Sequence, residues 1–119
     1  MERVKFIVHK WRQLLVLDFS HCTVNEATET INEARQVIRS QPQSSLIILT
    51  NVTDAKYDLE VIEQLKTFTS DNKPYVRASA VVGLDGLQKI VYNAVTLFSK
   101  RIFPVFDNIE KAKDWLIEQ

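Results

Sequence analysis

The chain has 119 residues, 45% of them apolar and 25% charged, a length and balance that suit one globular domain with a single core and exclude a disordered or fibrous chain. Fifteen basic residues cancel fifteen acidic ones, so no general attraction to nucleic acid or to an anionic membrane is expected. The single cysteine, Cys22, excludes an intrachain disulfide and points to a reducing cytoplasm.

"MERVKFIVHKWRQ" has neither a long apolar run nor a small-residue cleavage site, so no signal peptide is expected there. No apolar stretch reaches the roughly 18 residues of a membrane helix. "VKFIVHK" and "QLLVLDFS" are rich in β-branched and apolar residues, and the polar residues around Trp11 and Arg12 separate them. They predict an antiparallel hairpin. In "TVNEATETINEARQVIRSQ", Thr23 and Glu26 have capping-box spacing, and Val24, Ala27, Ile31, Ala34 and Ile38 form one apolar helix face. Gln41-Pro42 ends that helix.

"SSLIILTNV" is a continuous apolar run of strand length, as a central parallel strand buried on both faces would be. Asp58 is placed to cap a helix with Val61, Ile62, Leu65 and Phe68 on one face, and Asn72-Lys73-Pro74 stops it. "YVRASAVVGL" predicts another strand. "DGLQKIVYNAVTLFSK" predicts a third helix, apolar at Leu87, Ile90, Val91, Ala94, Val95 and Phe98, with Leu97 also suited to a core. "IFPVFD" reads as a short edge strand, because Pro104 cannot donate to a ladder. "NIEKAKDWLIEQ" predicts a last helix with Ile109, Ala112 and Leu116 inward and Trp115 partly exposed.

The order is β-β-α-β-α-β-α-β-α, a hairpin followed by strand–helix alternation. It predicts a single α/β domain over residues 1–119, with a mixed, mostly parallel sheet of about five strands and four helices mainly on one face. The segments "LIILTNVTDAKYDLEVIEQLKTF", "KPYVRASAVVGLDGLQKIVYNAVTLFS" and "PVFDNIEKAKDWL" resemble the STAS domain of sulfate transporters and anti-sigma-factor antagonists. More narrowly they resemble the small bacterial STAS/SEC14-type proteins, sometimes described as similar to the sporulation anti-anti-sigma factor. In the antagonists a serine following an aspartate, near a glycine, opens the helix after the third strand, and its phosphorylation controls partner binding. Here that region reads "NVTDAKYDLEVIEQL", without serine or glycine. Thr53 is the nearest hydroxyl and Tyr57 the next, so the resemblance does not carry the phosphorylatable Asp-Ser motif over, and Thr53 is the one position left for it.

The turn Gly83-Leu84-Asp85-Gly86 contains both glycines of the chain. It lacks the three glycines of a dinucleotide fingerprint and the Gly-Lys-Ser/Thr of a P-loop, and Asp85 would place a negative charge beside a phosphate. A strand-to-helix turn with Asp85 as cap is the expectation. His9 and His21 are the only histidines; His21 adjoins Cys22, but neighbouring strand residues face opposite ways, against both a metal site and a Cys–His dyad. Asp18 and Asp54 sit near strand ends, where acid–base chemistry or plain turn formation are both open. Lys89, Tyr92, Asn93 and Lys100 share part of one face of the third helix, with Arg101 just beyond, and form a candidate partner surface. The apolar arc of that helix is wider than one buried stripe requires, so Val91, Val95 and Phe98 are candidates to line an apolar pocket or a subunit interface.

These readings predict a cytoplasmic, non-enzymatic regulatory or protein-interaction module without cofactor, metal or nucleic-acid partner. The alternative, implied by the SEC14 resemblance, is a carrier of a small apolar, lipid-like ligand. Zero net charge and surplus apolar surface also predict a homodimer.

Overall fold

The computed structural model describes residues 2–119; the side chain of Leu87, expected on an apolar helix face, lies outside the described set. Strands β1 (Val4–His9) and β2 (Arg12–Asp18) form the hairpin, joined by a two-residue turn in which Lys10 has φ +57°. Then follow α1 (Val24–Arg39), β3 (Leu46–Asn51), α2 (Leu59–Asn72) with a 3-10 turn at Lys73–Tyr75, β4 (Val76–Val82), α3 (Gly86–Ser99), β5 (Val105–Phe106) and α4 (Ile109–Ile117). The sheet order is β1-β2-β3-β4-β5; β1 and β2 are antiparallel and the other pairs parallel.

Residue alternation along the strands builds two cores. Leu15, Leu17 and Ile48 pack with Ala27, Ile31 and Ile38 of α1 and with Val61 and Phe68 of α2. On the opposite face Leu14, Ile47, Leu49 and Ala80 pack against Ala112 and Leu116 of α4. β3, with parallel neighbours on both sides, is buried on both faces, which is why its sequence is an unbroken apolar run. α3 packs on α2, so α1, α2 and α3 share one face of the sheet and α4 covers the other.

Local chemistry sets the boundaries. Thr23 Oγ1 accepts from the Glu26 amide at 3.1 Å, and the Glu26 carboxylate accepts from the Thr23 amide at 2.9 Å, the reciprocal capping box. These bonds hold the Glu26 carboxyl below its usual range. Thr23→Ala is expected to cost about 1 kcal/mol, read as a lower urea midpoint at unchanged slope. Asp58 caps α2 through the Val61 amide at 2.8 Å. Asp85 departs from expectation: it occupies the N-cap position of α3, but its side chain makes no capping hydrogen bond.

Two helices bury different residues from those expected. The inward stripe of α3 is Gln88, Val91, Tyr92, Val95 and Ser99, spaced three, one, three and four apart, and it includes two polar residues. Ile90, Leu97 and Phe98 fall outside it and are 66%, 82% and 53% exposed, so the placement of Leu97 and Phe98 in a core is corrected. A helix apolar on most of its circumference can bury only one side against a single neighbouring layer. In α4, Ala112 and Leu116 are buried, but Ile109, in the first turn, is exposed. β5 is only two residues long and lies at the sheet edge, where Pro104 needs no amide and its carbonyl accepts from the Val81 amide.

Candidate functional site

Two regions collect the residues with chemical potential. The first lies at the carboxyl ends of β2, β3 and β4. Asp18 accepts from the Ser20 amide at 2.9 Å, and Thr53 donates its hydroxyl to Asn51 Oδ1 at 2.7 Å. The Thr53 amide also donates to Asn51 Oδ1, at 3.1 Å, which closes a turn by a side chain. His21 Nδ1 lies 3.1 Å from Asp54 Oδ2, and both side chains are exposed. Asp18 and Asp54 therefore serve separate local bonds. Gly83 has φ +89°, and its α-carbon faces the Thr53 backbone so closely that a β-carbon would stand 2.6 Å from the Thr53 amide nitrogen. The glycine lets two strand-end loops touch. Cys22 is buried, and burial pushes its thiol up. Among the described residues no three His, Cys, Asp or Glu side chains converge as a metal site would require.

The second region is a cavity of about 100 Å³ between the sheet, α2 and α3, open on one side. α3 rests on α2, and the two helices and the strands leave space between them. Leu17, Ile48 and Val81 form its floor, and Val91 and Val95 its roof. The structure thus puts two of the three candidate pocket residues, Val91 and Val95, into one cavity wall. Phe98 is outside that wall, with its ring 5.9 Å from Lys66 Nζ. Of the candidate partner surface, Lys89, Asn93 and Lys100 are exposed, whereas Tyr92 turns inward, lines the cavity and donates its hydroxyl to the Phe103 carbonyl.

Polar groups sit in the same walls. Burial pushes the Tyr57 phenol well above its usual range. Asn72 is 5% exposed and lines the cavity. Arg101 reaches back from the loop after α3, donates to the Thr69 carbonyl at 2.8 Å, and lies 4.7 Å over the Phe103 ring. Its Nη2 is 3.5 Å from Ser79 Oγ. Among the described residues no Asp, Glu, His or Cys lines the cavity. The sequence reading missed Arg101 and Asn72 as cavity residues. They stand 29 positions apart, and no local spacing links a helix end to a loop that only the crossover brings alongside.

The architecture and its cavity define an α/β module of STAS-like fold: a leading hairpin, parallel strands joined by helical crossovers, and a closing helix on the opposite face. A solved structure supports that class: an uncharacterized protein of the DUF3478 family with a SpoIIAA-like fold, from Shewanella loihica, superposes with a TM-score of 0.70 over 95% of this chain and 91% of that one. Identity is 14%, so the likeness is one of fold. No protein-family model matches the chain, and no curated protein matches it significantly. Among the described residues no helix is long and apolar enough to cross a membrane.

Proposed function

We propose that the chain is a non-enzymatic regulatory module that takes a small apolar ligand into the cavity beneath α3. The observation that carries this is the cavity itself, roofed by Val91 and Val95 and floored by Leu17, Ile48 and Val81. Its walls offer hydrophobic contact and hydrogen-bond donors and, among the described residues, no carboxylate, imidazole or thiol for acid–base or nucleophilic work. At about 100 Å³ it is smaller than the roughly 300–1,000 Å³ of pockets for drug-sized ligands. A protein cavity of about 150 Å³ is known to take up benzene, so the fitting ligand is a compact molecule or a short chain rather than a whole lipid.

The test is a methyl NMR titration with hexan-1-ol. Burying roughly five methylenes at about 0.8 kcal/mol each gives about 4 kcal/mol, a Kd near 1 mM. The Val91, Val95 and Ile48 methyls are expected to shift together and saturate. Methyl signals that stay in place, or shifts scattered over the surface, would overturn the reading.

A second reading is favoured by a different observation. The outer side of α3 and the loop after it expose Ile90, Leu97 and Ile102, the last 92% exposed. We infer a protein-docking surface there, with a second copy of the chain as the occupant to test first. Sedimentation equilibrium should give a dimer that Leu97→Glu weakens at least tenfold. A monomer at high concentration would refute self-association.

A further inference from the structure

Within the cavity four polar side chains gather at one end. Parallel pairing sets Ser79 beside Ile48 and Val81 beside Thr50, so Ser79, at the middle of β4, lies nearer its amino end than Val81 does. Thr69 and Asn72 belong to the last turn of α2, which leads into that same end. Arg101 joins them from the loop after α3. The opposite end, near Phe19 and Val52, also carries polar side chains, Thr50, Tyr57 and Gln88, but no charge. The positive charge of the cavity is therefore confined to one end.

Arg101 is the one cavity-lining side chain that carries charge at neutral pH, and among the described residues no carboxylate lies within ion-pair distance of it. A guanidinium has five N–H donors. One donates to Thr69 and a second makes a long bond to Ser79, which leaves donors free. The carbonyl end of α2 gives only partial compensation, since a helix terminus is equivalent to about half a charge. Burial without a counter-charge also lowers the guanidinium's proton affinity. Asn72, 5% exposed and lining the cavity, offers an amide at the same end. Arg101 is only half-buried, and a half-buried cation with spare donors suits an oxyanion.

We infer that the cavity selects an apolar monoanion: a short hydrocarbon tail against Leu17, Val81 and Val91, with its carboxylate or equivalent oxyanion on Arg101 and the Asn72 amide. This rests on the cavity being a ligand site and adds the charge of the ligand. The planar fork of Arg101 suits a two-oxygen group better than a single-point acceptor. The anion could be a free acid or the head of a membrane lipid. The cavity volume favours the free acid.

The probes are hexanoate and hexan-1-ol, matched in chain length, titrated by calorimetry and methyl NMR into wild type, Arg101→Gln and Arg101→Lys. Wild type is expected to bind hexanoate about tenfold to a hundredfold more tightly than hexan-1-ol, the effect of one charge-assisted pair. Arg101→Gln should erase that preference and leave hexan-1-ol affinity within about twofold, with Arg101→Lys in between. Equal binding of acid and alcohol to wild type would overturn the inference and leave the ligand cavity standing. Failure of both probes to bind would overturn the cavity reading as well. The wild-type comparison decides the matter even if a variant fails to fold. As a control on source, flotation with phosphatidylcholine vesicles doped with phosphatidic acid should show no binding that hexanoate displaces. Such binding would overturn the assignment to a free acid.

Discussion

Gly83→Ala will destabilise the fold by about 3 kcal/mol, a fall of roughly 10 °C in the unfolding midpoint. Two effects add. At φ +89° an alanine is strained whatever space surrounds it. The added β-carbon would also collide with Thr53 Oγ1 and stand 2.6 Å from its amide nitrogen and 2.8 Å from its α-carbon. Backbone atoms cannot swing aside as the end of a flexible side chain can. The strand-end loop carrying Thr53 would have to move, and it is tied to Asn51 by two hydrogen bonds and to His21 by the Thr53 carbonyl. Differential scanning calorimetry reads the effect. A midpoint within two or three degrees of wild type would mean that the loop yields freely. Thr53→Ser keeps the Asn51 hydrogen bond, so its midpoint should stay close to wild type and separate packing from hydrogen bonding.

Val91→Phe will abolish hexan-1-ol binding while the protein stays folded. Val91 is 4% exposed and roofs the cavity, so a phenyl ring there enters the about 100 Å³ space instead of displacing tightly packed neighbours. Filling a void removes the cost of unmade contacts and offsets the strain of a larger side chain, so the unfolding midpoint should stay within about 1 kcal/mol of wild type. The informative result is the pair: stability retained, and the saturable methyl shifts lost. If binding persists in a folded variant, the ligand lies elsewhere, and the exposed outer side of α3 becomes the first place to look. Leu59→Ser, at an 82% exposed position outside both proposed sites, should leave both quantities unchanged and serves as the control.

The two strand-end aspartates fit the plainer of their two sequence readings, turn formation, rather than acid–base chemistry. Asp18 and Asp54 stand where ligands gather in open α/β sheets. Each is already committed, Asp18 to the Ser20 turn and Asp54 to His21. In the buried stripe of α3, local pattern misleads. Hydrophobicity alone selects Ile90, Val91, Ala94, Val95 and Phe98 for the inside, but the helix rests on α2 with Gln88, Tyr92 and Ser99 turned inward. Ser99 can be buried because its hydroxyl donates to the Val95 carbonyl at 2.7 Å, a bond available only within the helix.

What the sequence by itself determined is the part governed by short-range rules. The capping box of α1, the proline stops, the unbroken run of β3 and the edge position of β5 each follow from a few neighbouring residues. Together these features imply the hairpin, the crossovers and the STAS-like order. Only the tertiary structure decided the cavity and its charge. Leu17, Ile48, Val81, Val91 and Arg101 come from four elements and a loop spread over most of the chain. Their convergence depends on how far α3 stands off the sheet, and that distance is set by packing against α2, a sum over many weak contacts that no local spacing encodes.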